Sequence, residues 1–156
     1  MSDLPPHALG PAARLNSHGE MEFEMEGVTY LLRPSREAIE EIEAATDRAL
    51  IELAEGAQLG RLTLKDQAAI VVEFLKAWGR EAGPDGDPNQ IAARQFKPDG
   101  VKDFIIEAGV VIVNSRLAVI LAGAVGGGYD RRGKATAAWA KALVEAGAKK
   151  KTRAAA

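Results

Sequence analysis

Glu20-Met21-Glu22-Phe23-Glu24-Met25-Glu26-Gly27-Val28-Thr29-Tyr30-Leu31-Leu32 is the stretch whose alternation decides the fold class. Met21, Phe23 and Met25 fall on one face of a strand and the carboxylates Glu20, Glu22, Glu24 and Glu26 on the other, the pattern of a half-buried strand rather than a helix. A two-residue connection at Glu26-Gly27 pairs Met25 with Val28, Phe23 with Tyr30 and Met21 with Leu32, which puts both apolar rows on one face. A one-residue slip would turn one row to water, so the pattern specifies the register. Glu-Gly is a poorer tight turn than Asn-Gly, and a slightly longer loop with Gly27 at positive φ is the alternative. An isolated hairpin is marginal in water, so this face demands helices to cover it.

Those helices follow in sequence. Pro34 ends the second strand and Ser35 is the expected N-cap, with Glu37 in the first turn, where the helix dipole favours a carboxylate. Ile39 and Ile42 form a short apolar stripe, continued by Ala45 or Ala49 and by Leu50 and Leu53, while Glu40, Glu41 and Glu43 fall mostly on the other side. Thr46-Asp47 is expected to break this run into two helices, the second ending near Gly56 or Gly60. At Thr63-Leu64-Lys65-Asp66 the hydroxyl and the carboxylate are spaced to cap reciprocally. Leu64, Ala68, Val71, Leu75 and Trp78 then recur at helical spacing, widened by Gln67, Ile70 and Phe74, until Gly83-Pro84.

Three ordered segments of this region carry a family resemblance. Val28-Thr29-Tyr30-Leu31-Leu32-Arg33-Pro34, then Ala38-Ile39-Glu40-Glu41-Ile42-Glu43-Ala44-Ala45, then Gly60-Arg61-Leu62-Thr63-Leu64-Lys65-Asp66, resemble the gene transfer agent family of small phage tail proteins. The shared pattern is a short hairpin, a helix bearing Ile-Glu-Glu-Ile-Glu and a Gly-Arg-Leu helix start, followed by more helix. It covers residues 21–82 well and 101–126 loosely, and the residues before Glu20, the loop after Gly83 and the basic tail depart from it. The resemblance implies a tail assembly chaperone in the cytoplasm of a bacterial host. Its implied partners are the tape-measure protein, whose apolar helical surface it would keep soluble, and the tail tube protein that polymerises around it.

The chain of 156 residues is 47% hydrophobic and 27% charged, which suits one domain with a real core. It contains no cysteine, which removes disulfides, thiolate metal sites and thiol nucleophiles and fits a reducing cytoplasm. Residues 1–19 lack the charged start, long apolar core and cleavage site of a signal peptide, and with Pro5, Pro6, Gly10 and Pro11 they read as a flexible arm. From Arg131 onward eight basic residues face one acid, giving +7, so the other 12 basic and 21 acidic residues give −9. This basic tail, marked by Arg131, Arg132, Lys149, Lys150 and Lys151, is either a handle for an acidic partner or nucleic acid, or simply a solvated helix end.

Residues 83–100 read as a long loop, with room for one short helix from Pro88. Asp85, Asp87 and Asn89 alternate like part of a calcium loop, but Phe96 stands where the bidentate Glu is required. Residues 101–125 are the most apolar part of the chain. Val110-Val111-Ile112-Val113 reads as a buried strand or as the start of a helix; two helices, 101–108 and 110–124 joined at Gly109, are preferred because Phe104, Ile105, Ala108, Ile112 and Ser115 share helical spacing. Glu107, Asn114 and Arg116 interrupt the run, leaving fewer than the roughly 18 apolar residues of a spanning helix, so no membrane span is expected. After Gly126-Gly127-Gly128, residues 135–148 read as an alanine-rich helix with a thin stripe of Trp139 and Leu143.

Gly128-Tyr129-Asp130-Arg131-Arg132-Gly133-Lys134-Ala135 matches the spacing of a phosphate-binding loop, except that Ala135 replaces the hydroxyl residue that holds magnesium. Only 22 residues follow Lys134, too few for the remaining strands of a nucleotide hydrolase. His7 and His18 lie in the N-terminal arm, where no base or metal ligand is held in place. Trp78 and Tyr30 read as core or interface aromatics, and the strand carboxylates as a solvent face that discourages edge pairing.

The sequence therefore predicts an α+β chain, mainly α: an N-terminal β-hairpin packed on a helical bundle with flexible termini. Its expected divisions are an arm at 1–19, a hairpin and helical core at 20–126, and a basic helix and tail at 127–156. No catalytic, cofactor-binding or metal-binding residue is expected, and the role is expected to be non-enzymatic. A helix-binding surface is sought at Phe104, Val111, Leu117, Leu121, Trp139 and Leu143, which leaves self-association open. A tail tube subunit, which needs large β-sheets, and a small nucleic-acid-binding protein using the basic tail are the two rival readings.

Overall fold

The hairpin forms in the expected register. A computed structural model describes residue 16 and residues 18–155, with side chains through residue 146; most of the N-terminal arm and the Lys149, Lys150 and Lys151 side chains lie outside the described residues. Strand β1 (Glu22–Met25) pairs antiparallel with β2 (Val28–Leu31), matching Phe23 to Tyr30 and Met25 to Val28, and Leu32 N–H donates to Met21 O. Glu26 and Gly27 both take positive φ, 51° and 79°, as a tight two-residue hairpin turn of this hand requires. Met21, Phe23, Met25, Tyr30 and Leu32 are buried together against the helices.

Helix α1 (Arg36–Thr46) starts where the Ser35 hydroxyl accepts from Ala38 N–H, and it ends at Asp47, whose φ of 54° supplies the expected break. Helix α2 (Leu50–Gln58) follows. Helix α3 (Leu64–Arg80) starts at Thr63, whose hydroxyl accepts from Asp66 N–H at 3.1 Å. The reciprocal half of that capping box is replaced: the Asp66 carboxylate turns to Arg48, 3.5 Å away. Nearly every residue of α3 from Asp66 to Gly79 is buried, because α1, α5, α6, β2 and the segment 88–95 all pack on it.

The region expected as a long loop is largely helical. Helix α4 (Pro88–Ala92), capped by Asp87, runs into a 3-10 turn (Ala93–Gln95), and helix α5 starts at Pro98, three residues before its expected start. The reason is the exposed end of α3, whose last carbonyls need donors. Gln90 Nε2 donates to Trp78 O at 2.8 Å, and Arg94 donates to Gly79 O and Ala82 O at 2.8 and 2.7 Å. Gly79 permits the approach, since a Cβ there would meet Arg94 N and Gln90 O at 2.8 Å.

Helix α5 (Pro98–Ala108) and helix α6 (Val110–Val125) meet at Gly109, φ 104°, with a bend of 110°. The apolar run is helical throughout, and no single helix among the described residues is long and apolar enough to cross a membrane. Helix α6 packs along α2. Residues 128–136 then form a tight loop closed by an antiparallel bridge between Tyr129 and Ala135. This loop belongs to the body and not to a tail. Gly133 sits so close to Arg33, Pro34 and Ser35 that a Cβ would lie 2.7–2.8 Å from their backbone atoms, and Arg36 N–H donates to Arg131 O.

Helix α7 (Ala137–Ala155) docks through its first turns. The Trp139 indole lies in a slot made by two glycines: a Cβ at Gly123 would stand 2.6 Å from it and one at Gly128 2.7 Å. Gly128, the last residue of the triple-glycine stop, thus doubles as part of a docking surface. Gly123→Ala is expected to expel the indole, costing about 1–3 kcal/mol in urea unfolding, the usual range for overpacking. Tryptophan emission should shift to the red while far-ultraviolet circular dichroism stays native.

Candidate functional site

Arg33 stands two residues after the end of β2 and is only 7% exposed, so its guanidinium must be paired. It forms an ion pair with Glu20, at the entry to β1, and lies 3.7 Å from Glu81 at the end of α3. Glu81 is shared with Arg132, 3.6 Å away on the 128–136 loop. Burial pulls the Arg33 guanidinium below its usual value, and Glu81 and Asp130 act to raise it again. One buried charge therefore joins the hairpin, the central helix and the loop.

Next to this network opens a cleft of about 480 Å³ where Arg36, Arg80, Arg131 and Arg132 converge with Glu37 and Glu81. The loop that presents Arg131 and Arg132 is held by Asp130, whose carboxylate accepts from Arg132 N–H at 2.9 Å and Lys134 N–H at 3.0 Å. Those amides are consumed within the loop, which follows a helix and not a strand, so it is no nucleotide-hydrolase phosphate loop despite its spacing.

A second groove, about 400 Å³, runs between α2 and the first turns of α6. Asn114 crosses it, donating to Ala57 O at 2.8 Å and accepting from Leu62 N–H at 3.4 Å. Gln67, fully buried in α3, donates to Val110 O at 3.1 Å. These amides fasten α6 across α2 and α3 and leave an apolar edge. Val111, on the lining, is 79% exposed, and Leu59, adjacent in the chain to the lining residues Gln58 and Gly60, is 64% exposed.

The expected contact residues divide on this geometry. Val111 is the one presented to solvent. Leu117 and Leu121, 1% and 0% exposed, are core, because they face α2 and α3 rather than outward, and they cannot serve as contacts on a free surface. Phe104 is half-buried against the same core. Trp139 fills its glycine slot, with Tyr129 edge-on at 6.4 Å, and Leu143 is 9% exposed, so the α7 stripe is spent on the body of its own chain. Arg131 and Arg132 join Arg36 and Arg80, far from the remaining tail lysines in sequence. Sequence reasoning missed Arg33, Gln67 and Asn114; the signals were a cation just past a strand end and amides inside apolar runs.

No family model, curated protein or solved structure matches the chain. The gene transfer agent resemblance thus rests on the ordered sequence pattern alone. Among the described residues no three His, Asp or Glu side chains gather as a metal site requires.

Arg33→Met is expected to destabilise the fold by about 3–5 kcal/mol in urea unfolding, since Glu20 and Glu81 lose a buried partner. Adding Glu20→Gln and Glu81→Gln should restore part of that loss. Burial raises both tyrosines above their usual value of 10.0, with Glu26 adding to the effect at Tyr30. Neutral phenols are favoured in the fold, so this contribution is fully present below about pH 10, the unfolded value, and is lost as pH rises through the folded ones. Phenolate absorbance of the folded protein should therefore develop at higher pH than that of free tyrosine, and Tyr129→Phe should remove one of the two late steps.

Proposed function

We propose that this protein is a phage-like tail assembly chaperone of the gene transfer agent type. It binds an apolar, helical segment of a tape-measure protein and holds it soluble until tail tube subunits assemble. The observation that supports the reading is the apolar edge at Val111 and Leu59 beside the α2–α6 groove. An apolar edge of this kind, next to a groove between two helices, suits a helix laid in with its apolar face down. The buried amides Gln67 and Asn114 support the same reading from beneath, because they fix α6 so that the groove exists before a partner arrives.

The tail tube rival draws less support. A tube is built from large sheets, and the described residues contain one two-stranded sheet and one isolated bridge. A nucleic-acid reading loses two of its basic handles to the body, where the loop carrying Arg131 and Arg132 is tied to α1 and Arg132 pairs with Glu81.

Deleting residues 101–125 would remove core side chains such as Val101, Ile105, Leu117 and Leu121, so the informative variant is a point change. Val111→Asp suits the purpose: the site is exposed and lies in the first turn of α6, where a carboxylate favours the helix. Co-expressed with the tape-measure protein of the same genome, the wild-type chain is expected to keep that protein soluble and co-purify with it. Val111→Asp is expected to reduce recovery about tenfold, as loss of one interface anchor does. An insoluble tape-measure protein beside folded wild-type chain would refute the chaperone role. Recovery unchanged by Val111→Asp would refute the groove.

A further inference from the structure

We propose that the arginine cleft is an oxyanion site that takes the phosphoryl group of a small phosphate monoester. The proposal is independent of the chaperone reading and uses a different surface, since the two grooves share no lining residue. Its basis is a convergence that chain order does not suggest: Arg36 from α1, Arg80 from α3, and Arg131 and Arg132 from the 128–136 loop all line one cavity. Four arginines and two glutamates line it, and with Glu40, 3.8 Å from Arg36, the local excess is +1 on a body that is otherwise acidic.

The carboxylates do not use up the donors. Glu37 lies 3.6 Å from Arg80, Glu40 lies 3.8 Å from Arg36 on the exposed face of α1, and Glu81 is divided between Arg132 at 3.6 Å and Arg33 at 3.7 Å, all longer than a good hydrogen bond. Arg80 and Arg132 are substantially exposed, and ion pairs of that kind contribute little, so a ligand can replace them at small cost. Arg131 pairs with no carboxylate among the described residues. Among the described residues none of the four side chains donates a hydrogen bond within the protein, and each guanidinium presents a planar fork suited to two phosphoryl oxygens.

The frame is set before a ligand arrives. Asp130 fixes the loop backbone, and the bond from Arg36 N–H to Arg131 O, 3.0 Å, ties that loop to α1. The start of α1 adds little by itself, because the amides of Arg36 and Ala38 are already bonded to Arg131 O and Ser35 Oγ. Anion capacity therefore lies in the side chains. A cavity of about 480 Å³ exceeds a bare phosphate and leaves room for the organic part of an ester. A long polyanion would run onto the acidic surfaces of α1 and the hairpin, where Glu40, Glu41, Glu24 and Glu26 are exposed, so a small ligand fits better than duplex nucleic acid.

The test is a nuclear magnetic resonance titration of the full chain with inorganic phosphate, with sodium chloride matched for ionic strength as the control. The backbone amides of Arg36, Arg80, Arg131 and Arg132 are expected to shift and saturate with phosphate but not with chloride. Arg131→Gln is expected to weaken binding about tenfold, the scale of one charge-assisted contact. Its side chain has no partner among the described residues and its backbone carbonyl, which accepts from Arg36 N–H, is retained, so the fold is kept. Lys102→Gln, on α5, should bind phosphate as the wild type does. Shifts that never saturate, shifts centred elsewhere, or unchanged affinity in Arg131→Gln would overturn the proposal. Tighter binding of a short DNA duplex through the same arginines would overturn the assignment to a small ester.

Discussion

A buried guanidinium has no tolerable state without carboxylates around it, and Arg33 sits where the entry to the hairpin and the end of the central helix must meet to supply them. Glu20 comes from the entry to the hairpin, Glu81 from the end of the central helix, and Arg132 approaches the far side of Glu81 from a loop almost a hundred residues later in the chain. Desolvating a charge costs several kcal/mol, which only a complete set of partners offsets. The network therefore acts less as a source of stability than as a condition on assembly: a hairpin docked in another place would take Glu20 away and leave the buried Arg33 short of a partner. Pro34 and Ser35 extend the same constraint, since Gly133 approaches their backbone where no side chain could fit.

What was legible in the sequence follows the range over which each interaction acts. The hairpin register was readable because strand alternation and turn length are local, and Met25 opposite Val28 leaves no freedom for a slip. The caps at Ser35 and Thr63 were readable for the same reason, although the partner of Asp66 was not, because Arg48 reaches it across a helix junction. The helix at 88–95 answers a need created by the end of α3. Its own residues, rich in turn formers, hide that need. The arginine cleft was invisible because Arg36, Arg80, Arg131 and Arg132 are brought together only by tertiary packing.

The apolar run on α6 shows the limit most directly. Its side chains are apolar on nearly every side, so periodicity names no buried face, and Val111, Leu117 and Leu121 look alike in sequence. Which of them meets water is settled by α2, a helix of nine residues that covers the middle of α6. Gln58 reaches Ala118 O and Asn114 reaches Ala57 O, so cover is firm near these residues, while Val111 projects beyond it.

That uncovered turn is a physical choice with a cost. An exposed valine at 79% gains nothing from the core, and a polar residue there would serve solubility better. The bend at Gly109 makes the exposure hard to avoid: α5 leaves at 110°, so it cannot fold back over the first turn of α6. Gln67 then ties the start of that turn to α3, and Asn114, further along α6, ties the helix to α2. A rigid apolar edge loses little entropy on meeting a second apolar surface, whereas a mobile one would lose part of the gain in ordering itself. On the proposed chaperone reading, the short α2, the bend at Gly109 and the buried amides together give a partner's apolar face a firm seat.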